Sequence, residues 1–82
     1  MELNEIIPQL NVIFRDVLDN DAISVSADTT ADDIEEWDSL NHIQLVVAIE
    51  KQFKVRFTAA EINSWKNVGD MCRAIIQRNQ DK

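Results

Sequence analysis

Leu3, Ile6, Ile7, Leu10, Ile13, Phe14, Val17 and Leu18 recur at i, i+3, i+4 and i+7, which draws one unbroken apolar stripe along the start of the chain. The period predicts a first amphipathic helix. Proline has no N–H to give and its ring clashes one turn back, so the helix is expected to begin close before Pro8, with Asn4 as its cap. From Asp19 to Asp38 the period dissolves into Asp, Asn, Ser, Thr and Ala, which are turn residues, and a long loop is predicted. A loop of that length in a compact domain is functional or is held by its own side chains, and Ile23, Val25 and Ile34 are the candidates to hold it. Trp37 is a further one, with its ring packed close to Ser39.

The helical period returns after Ser39, now on two faces. At about 100° per residue, Leu45, Val46, Ile49 and Phe53 share one face, while Leu40, Ile43 and Val47 gather on a second, roughly opposite. The first face is predicted to be core. The second is either buried in a helical bundle or left open as a docking surface. Ser39 is expected to be the N-cap, its hydroxyl accepting from an orphan N–H of the first turn, and an anion attached to it would lie in the favourable field of a helix N-terminus. Beyond Phe53, the alternating Lys54-Val55-Arg56-Phe57 reads as an extended connector that places Val55 and Phe57 in the core. Thr58-Ala59-Ala60-Glu61 has the form of a capping box, predicting a short helix to about Asn63. Asn67 can cap a last helix carrying Val68, Met71, Cys72, Ile75 and Ile76 on one stripe, with Arg73 and Arg78 complementing its dipole and the tail after Ile76 fraying.

Length allows one domain, 1–82, and not two; at 82 residues about 60–65% of the unfolded surface is buried. The corresponding stability is about 4–12 kcal/mol, so an enzyme cleft cut into this core would be costly. Fifteen acidic against eight basic residues give a net charge of −7, which argues against nucleic acid and for basic protein partners. A lone cysteine, Cys72, excludes an internal disulfide and reads as a small core hydrophobe. Neither a basic, apolar leader nor an apolar run approaching a membrane span is present, and a cytoplasmic monomer is expected.

Three candidate chemistries arise around Ser39. Ser39 and His42 stand three apart, the spacing of a nucleophile and its base, but a dyad also needs oxyanion donors and a group to orient the imidazole, and no third member is evident. His42 is expected instead to be a partly buried, hydrogen-bonded helix residue. Glu35, Glu36 and Asp38 lack the oxygen-ligand spacing of a calcium loop, so no metal is expected; as a solvated rim they would steer basic partners toward Ser39. Asp38 beside Ser39 is by itself compatible with plain turn and cap chemistry.

Asp38-Ser39-Leu40, followed by Leu45-Val46, Ile49-Glu50 and Phe53 at this spacing, resembles the acyl carrier proteins, whose attachment serine lies in a D-S-L motif at the start of the second helix. The resemblance covers essentially the whole chain. It implies an all-α, small four-helix bundle with a long loop between helices 1 and 2 and a short third helix. It also implies a 4'-phosphopantetheine, transferred from coenzyme A by a phosphopantetheinyl transferase onto Ser39, with Asp38 and Leu40 beside it. Such a protein is not an enzyme: it holds acyl intermediates as thioesters for acyl-loading and acyl-processing enzymes, which would dock on Leu40, Ile43 and Val47 flanked by Glu36 and Glu50. Trp37 stands where carriers of bulk fatty acid synthesis usually have glycine, and Asn41, Gln44 and Lys51 stand where those often have acids. The W-D-S-L form looks more like carriers of specialised pathways, such as polyketide, peptide or modified-sugar biosynthesis. A peptidyl or aminoacyl carrier, or an acidic helical adaptor without cofactor, remains the alternative.

Overall fold

The computed structural model describes residues 2–80 and places them in helices α1 (Leu3–Val17), α2 (Ser39–Phe53), α3 (Ala59–Ser64) and α4 (Val68–Gln80), with a 3-10 turn at Ala31–Asp33 in the loop between α1 and α2. Among the described residues there is no strand, and the four-helix bundle with a long first loop and a short third helix is as expected. α1 packs against both α2 and α4. The apolar stripes close on one another: Ile6, Leu10 and Phe14 of α1, Leu45 and Ile49 of α2 and Val68, Met71, Cys72 and Ile75 of α4 have no exposed surface.

The start of α1 differs from the sequence expectation. Glu2, not Asn4, is the capping residue; its carbonyl accepts from Glu5 N–H at 3.0 Å and Ile6 N–H at 3.1 Å. Pro8 therefore lies in the second turn, where its missing N–H removes the bond that this position would donate to Asn4. An interior proline costs about 3 kcal/mol. Burial of each large apolar side chain contributes about 1.5–3 kcal/mol, and the four buried residues Ile6, Leu10, Ile13 and Phe14 straddle the proline. The stripe outweighs the break.

The loop is held as its apolar residues suggested, with Ile23, Val25, Ile34 and Trp37 all buried. Its backbone is satisfied from both sides. Asn11 of α1 accepts from Val25 N–H at 2.6 Å, and Arg15 Nε donates to the Ile23 carbonyl at 2.6 Å. From the other side, Val68 and Gly69 N–H in the first turn of α4 donate to the carbonyls of Thr29 and Ala27 at 2.9 and 2.8 Å. These are helix-end donors that the helix itself cannot pair. The approach needs the chain's single glycine, since a Cβ at residue 69 would stand 3.0 Å from the Ala27 carbonyl oxygen.

Lys54 closes α2 in the left-handed conformation, φ 57°, so the extended connector begins only at Val55. Val55 is buried, and Phe57 packs partly buried against the core. The Thr58–Glu61 capping box forms reciprocally, Glu61 accepting from Thr58 N–H at 3.0 Å and Thr58 Oγ1 accepting from Glu61 N–H at 3.2 Å. α3 runs one residue past the expected Asn63. Asn67 Oδ1 caps α4 by accepting from Asp70 N–H at 2.9 Å.

The expected fraying after Ile76 is not seen among the described residues: α4 continues to Gln80, with Asn79 Nδ2 donating to the Ile75 carbonyl at 3.0 Å. Asp81 and Lys82, the end of that tail, lie outside the described residues. Arg78 pairs with Glu61 across α3 and α4, and Arg73 pairs with Asp70 at 2.7 Å, so the two arginines act through specific carboxylates beyond any dipole effect.

The Thr58 N–H and then Arg78 hold the Glu61 carboxyl below its ordinary value of 4.5. A folded-state value below the unfolded one means that the contribution to stability is complete above pH 4.5 and is lost as pH falls through the depressed value. Glu61→Gln should therefore flatten the acid limb of a melting-temperature profile, and an unchanged limb would show that other carboxylates set it.

Cys72 is fully buried, and desolvation pushes its thiol up to about 11, with Arg73 offsetting only part. In the folded protein it should react with a thiol reagent far more slowly than in denaturant. Equally rapid labelling in both conditions would show that α4 is not seated in the core.

Candidate functional site

The site is built from the first turn of α2. Asp38, not Ser39, is the N-cap: its backbone is extended at φ −103°, its Oδ1 accepts from Asn41 N–H at 2.8 Å, and its carbonyl accepts from His42 N–H at 2.8 Å. Asp and Ser cap about equally well, and the full charge of Asp38 complements the helix dipole besides. Ser39 is thereby the first residue of the helix proper, exposed, and among the described residues its hydroxyl has no hydrogen-bond partner.

Behind the serine lies an aromatic chain. Trp37 is buried edge-to-face on Phe14 of α1, with ring centres 5.0 Å apart, and its indole Nε1–H donates to His42 Nδ1 at 3.0 Å. The two rings stack at 6.0 Å; His42 meets Trp65 edge-on at 6.1 Å, and Trp65 meets Phe57 edge-on at 5.0 Å. His42 is thus half-buried and hydrogen-bonded as expected, and Trp37 lines the same groove as Ser39. This groove of about 560 Å³ runs from Ser39 toward α3, lined among others by Trp37, His42, Ile43, Ile62 and Trp65. Trp65 and Ile62 were not singled out by sequence reasoning. A tryptophan in a short polar connector was the available signal.

The imidazole cannot serve Ser39 as a base in this arrangement. An indole N–H only donates, so Nδ1 of His42 is already occupied as acceptor, and the neutral ring carries its proton on Nε2. The site presents a hydroxyl without activating it.

The two faces of α2 separate as the spacing suggested. Leu45 and Ile49 are 0% exposed, Val46 4% and Phe53 6%, while Leu40 is 66%, Ile43 61% and Val47 44% exposed. The alternative in which both faces are buried is thereby excluded. The two acids flanking the stripe are both hydrogen-bonded, so Glu36 is less free than a solvated rim implies: Glu36 Oε2 accepts from Asn20 Nδ2 at 2.6 Å, and Glu50 Oε2 accepts from Phe57 N–H at 2.9 Å. Each carboxylate braces a neighbouring segment. Asn41 Nδ2 donates to the Glu36 carbonyl at 2.8 Å, tying the loop end to the helix start. Among the described residues no three His, Cys, Asp or Glu side chains are grouped to hold a metal, and no helix is long and apolar enough to cross a membrane.

The family model described as "Phosphopantetheine attachment site" matches residues 8–75. A search of curated protein sequences finds no significant match. Among solved structures, the solution NMR structure of the holo acyl carrier protein from Geobacter metallireducens superposes with a TM-score of 0.85 at 37% identity, covering 92% of this chain and 86% of that one.

Proposed function

We propose a function from the premise that this chain belongs to the phosphopantetheine-attachment family, that of the acyl carrier proteins, and so is a carrier bearing covalent 4'-phosphopantetheine and not a catalyst. Within that role, Ser39 is the attachment residue and residues 1–82 form one carrier domain. The observation that carries this is the exposed Ser39 hydroxyl, without a capping bond, at the positive end of α2 and at the mouth of the aromatic groove. The residues fit the group: the hydroxyl is open to an incoming transferase, the helix end favours the phosphate charge, and the groove offers room along α2.

When bound, the group supplies a thiol on a long arm, on which a cargo is held as a thioester. The chain's own residues position it. Asp38 caps the helix and leaves the serine oxygen available, Leu40 stands beside it, and the phosphopantetheinyl transferase brings the base that His42 does not provide. Acyl-loading and acyl-processing enzymes dock on Leu40, Ile43 and Val47, where apolar contact gives most of the affinity. The charges of Glu36 and Glu50, with the net −7 of the chain, draw basic surfaces to that stripe and make the encounter salt-sensitive. The protein works as a cytoplasmic monomer. Trp37, with Asn41, Gln44 and Lys51 in place of acidic residues, favours a specialised acyl pathway over bulk fatty acid synthesis.

Incubation with a broad-specificity phosphopantetheinyl transferase and coenzyme A, followed by intact mass measurement, tests the reading. One added phosphopantetheine is expected. An unmodified mass would favour an acidic helical adaptor that binds through the same stripe without a cofactor.

A further inference from the structure

The bond from Trp37 to His42 has a chemical consequence at the site. With Nδ1 accepting from the indole at 3.0 Å, the neutral imidazole is held as the tautomer protonated at Nε2. Trp37 stacks on the ring at 6.0 Å and Trp65 meets it edge-on at 6.1 Å, so both rotation and tautomer are constrained. Among the described residues Nε2–H has no acceptor, although the ring is half-buried and lines the groove that begins at Ser39. No side-chain nitrogen or oxygen among the described residues is buried without a partner, so Nε2–H keeps access to the groove and stands open to an acceptor that a ligand brings there. Ser39 and His42 are one turn apart on α2, and side chains at that spacing are neighbours, about 5–6 Å apart at Cβ.

We propose that His42 is a positioning residue for the cofactor: its Nε2–H donates to a non-bridging phosphate oxygen of the group on Ser39, and Trp37 prepares it for that task by fixing the tautomer. This rests on Ser39 being the attachment residue. The phosphodiester is a permanent anion and needs only a donor, which Nε2–H of this tautomer supplies. The contact directs the root of the arm into the groove between Trp37 and Trp65 instead of leaving it to swing from an exposed serine.

The chain has one histidine, so its ring resonances need no assignment. In nitrogen-15-labelled apo protein at neutral pH, a long-range proton–nitrogen correlation should show Nε2 protonated and Nδ1 bare. After loading, verified by intact mass, the Nε2 resonance should shift while the tautomer persists. His42→Phe should move the phosphorus-31 resonance of the holo protein, and His42→Gln, whose amide N–H can reach the place of Nε2–H, should restore it where His42→Asn does not. A proton on Nδ1 in the apo protein, an Nε2 resonance indifferent to loading, or an unmoved phosphorus resonance in His42→Phe would overturn the proposal. The wild-type comparison decides it even where a variant fails to fold. A chain that does not load fails the functional reading and this one with it, whereas a chain that loads with an indifferent His42 fails this one alone.

Discussion

Ile49→Asp should leave the protein unfolded at room temperature, whereas Val47→Asp should melt within a few degrees of wild type. Ile49 is 0% exposed at the centre of the core and Val47 is 44% exposed on the opposite side of the same helix. At position 49 the substitution removes about 1.5–3 kcal/mol of apolar burial. It also strands a carboxylate, whose effective desolvation costs several kcal/mol more unless it is protonated or paired. Against a total of about 4–12 kcal/mol for a chain of this length, a loss of that size removes most or all of the stability. At position 47 the change stays in solvent, where substitutions act within about 0.5 kcal/mol, and Val and Asp have similar helix propensities. A charge in the middle of an apolar docking stripe should nevertheless slow transfer to partner enzymes by about tenfold or more, the scale of a truncated interface anchor. Thermal melts and transfer assays on the two variants check this. Similar melting losses would show that the stripe is covered by the protein itself.

Ser39→Ala should abolish cofactor loading and leave stability nearly unchanged. The loss is complete because, among the described residues lining the groove, no other hydroxyl stands at the positive end of α2. The stability result follows from Asp38, and not Ser39, satisfying the first-turn N–H of Asn41. Had Ser39 been the cap, alanine there would cost about 0.5–2 kcal/mol; that penalty belongs to Asp38→Ala instead. Melting curves of the two variants separate capping from attachment, and a Ser39→Ala variant markedly less stable than Asp38→Ala would reverse the assignment.

Most of this architecture is legible in the chain because the apolar period is strong where packing is strong. The two-faced wheel of α2 puts Ile49 and Val47 on different sides in the sequence itself, since a helix sets the direction of each side chain. The Thr58–Glu61 capping box and the Asn67 cap are readable because their hydrogen bonds are local in sequence. Other features escaped, one because two neighbouring residues compete for one role and the rest because their partners are remote in sequence. The choice of Asp38 over Ser39 as cap turns on one residue's backbone angle between two chemically equivalent candidates. Pro8 was read by its local cost, while the stripe through Ile6 and Phe14 that overrides it is a tertiary gain. The aromatic chain from Phe14 through Trp37, His42 and Trp65 joins α1, the loop, α2 and the segment after α3, and the first and last of these rings are 51 residues apart (65 minus 14); no periodicity could assemble it. Gly69 had an equally remote partner, the Ala27 carbonyl across the bundle.

The central claim is that one oxygen of this chain holds the arm, and fragmentation of the loaded protein by tandem mass spectrometry tests it most directly. The account predicts the whole added mass on the peptide containing Ser39, with the phosphopantetheine-specific fragment released from that peptide and no other. Label on Ser24, Ser26 or Ser64 would contradict it.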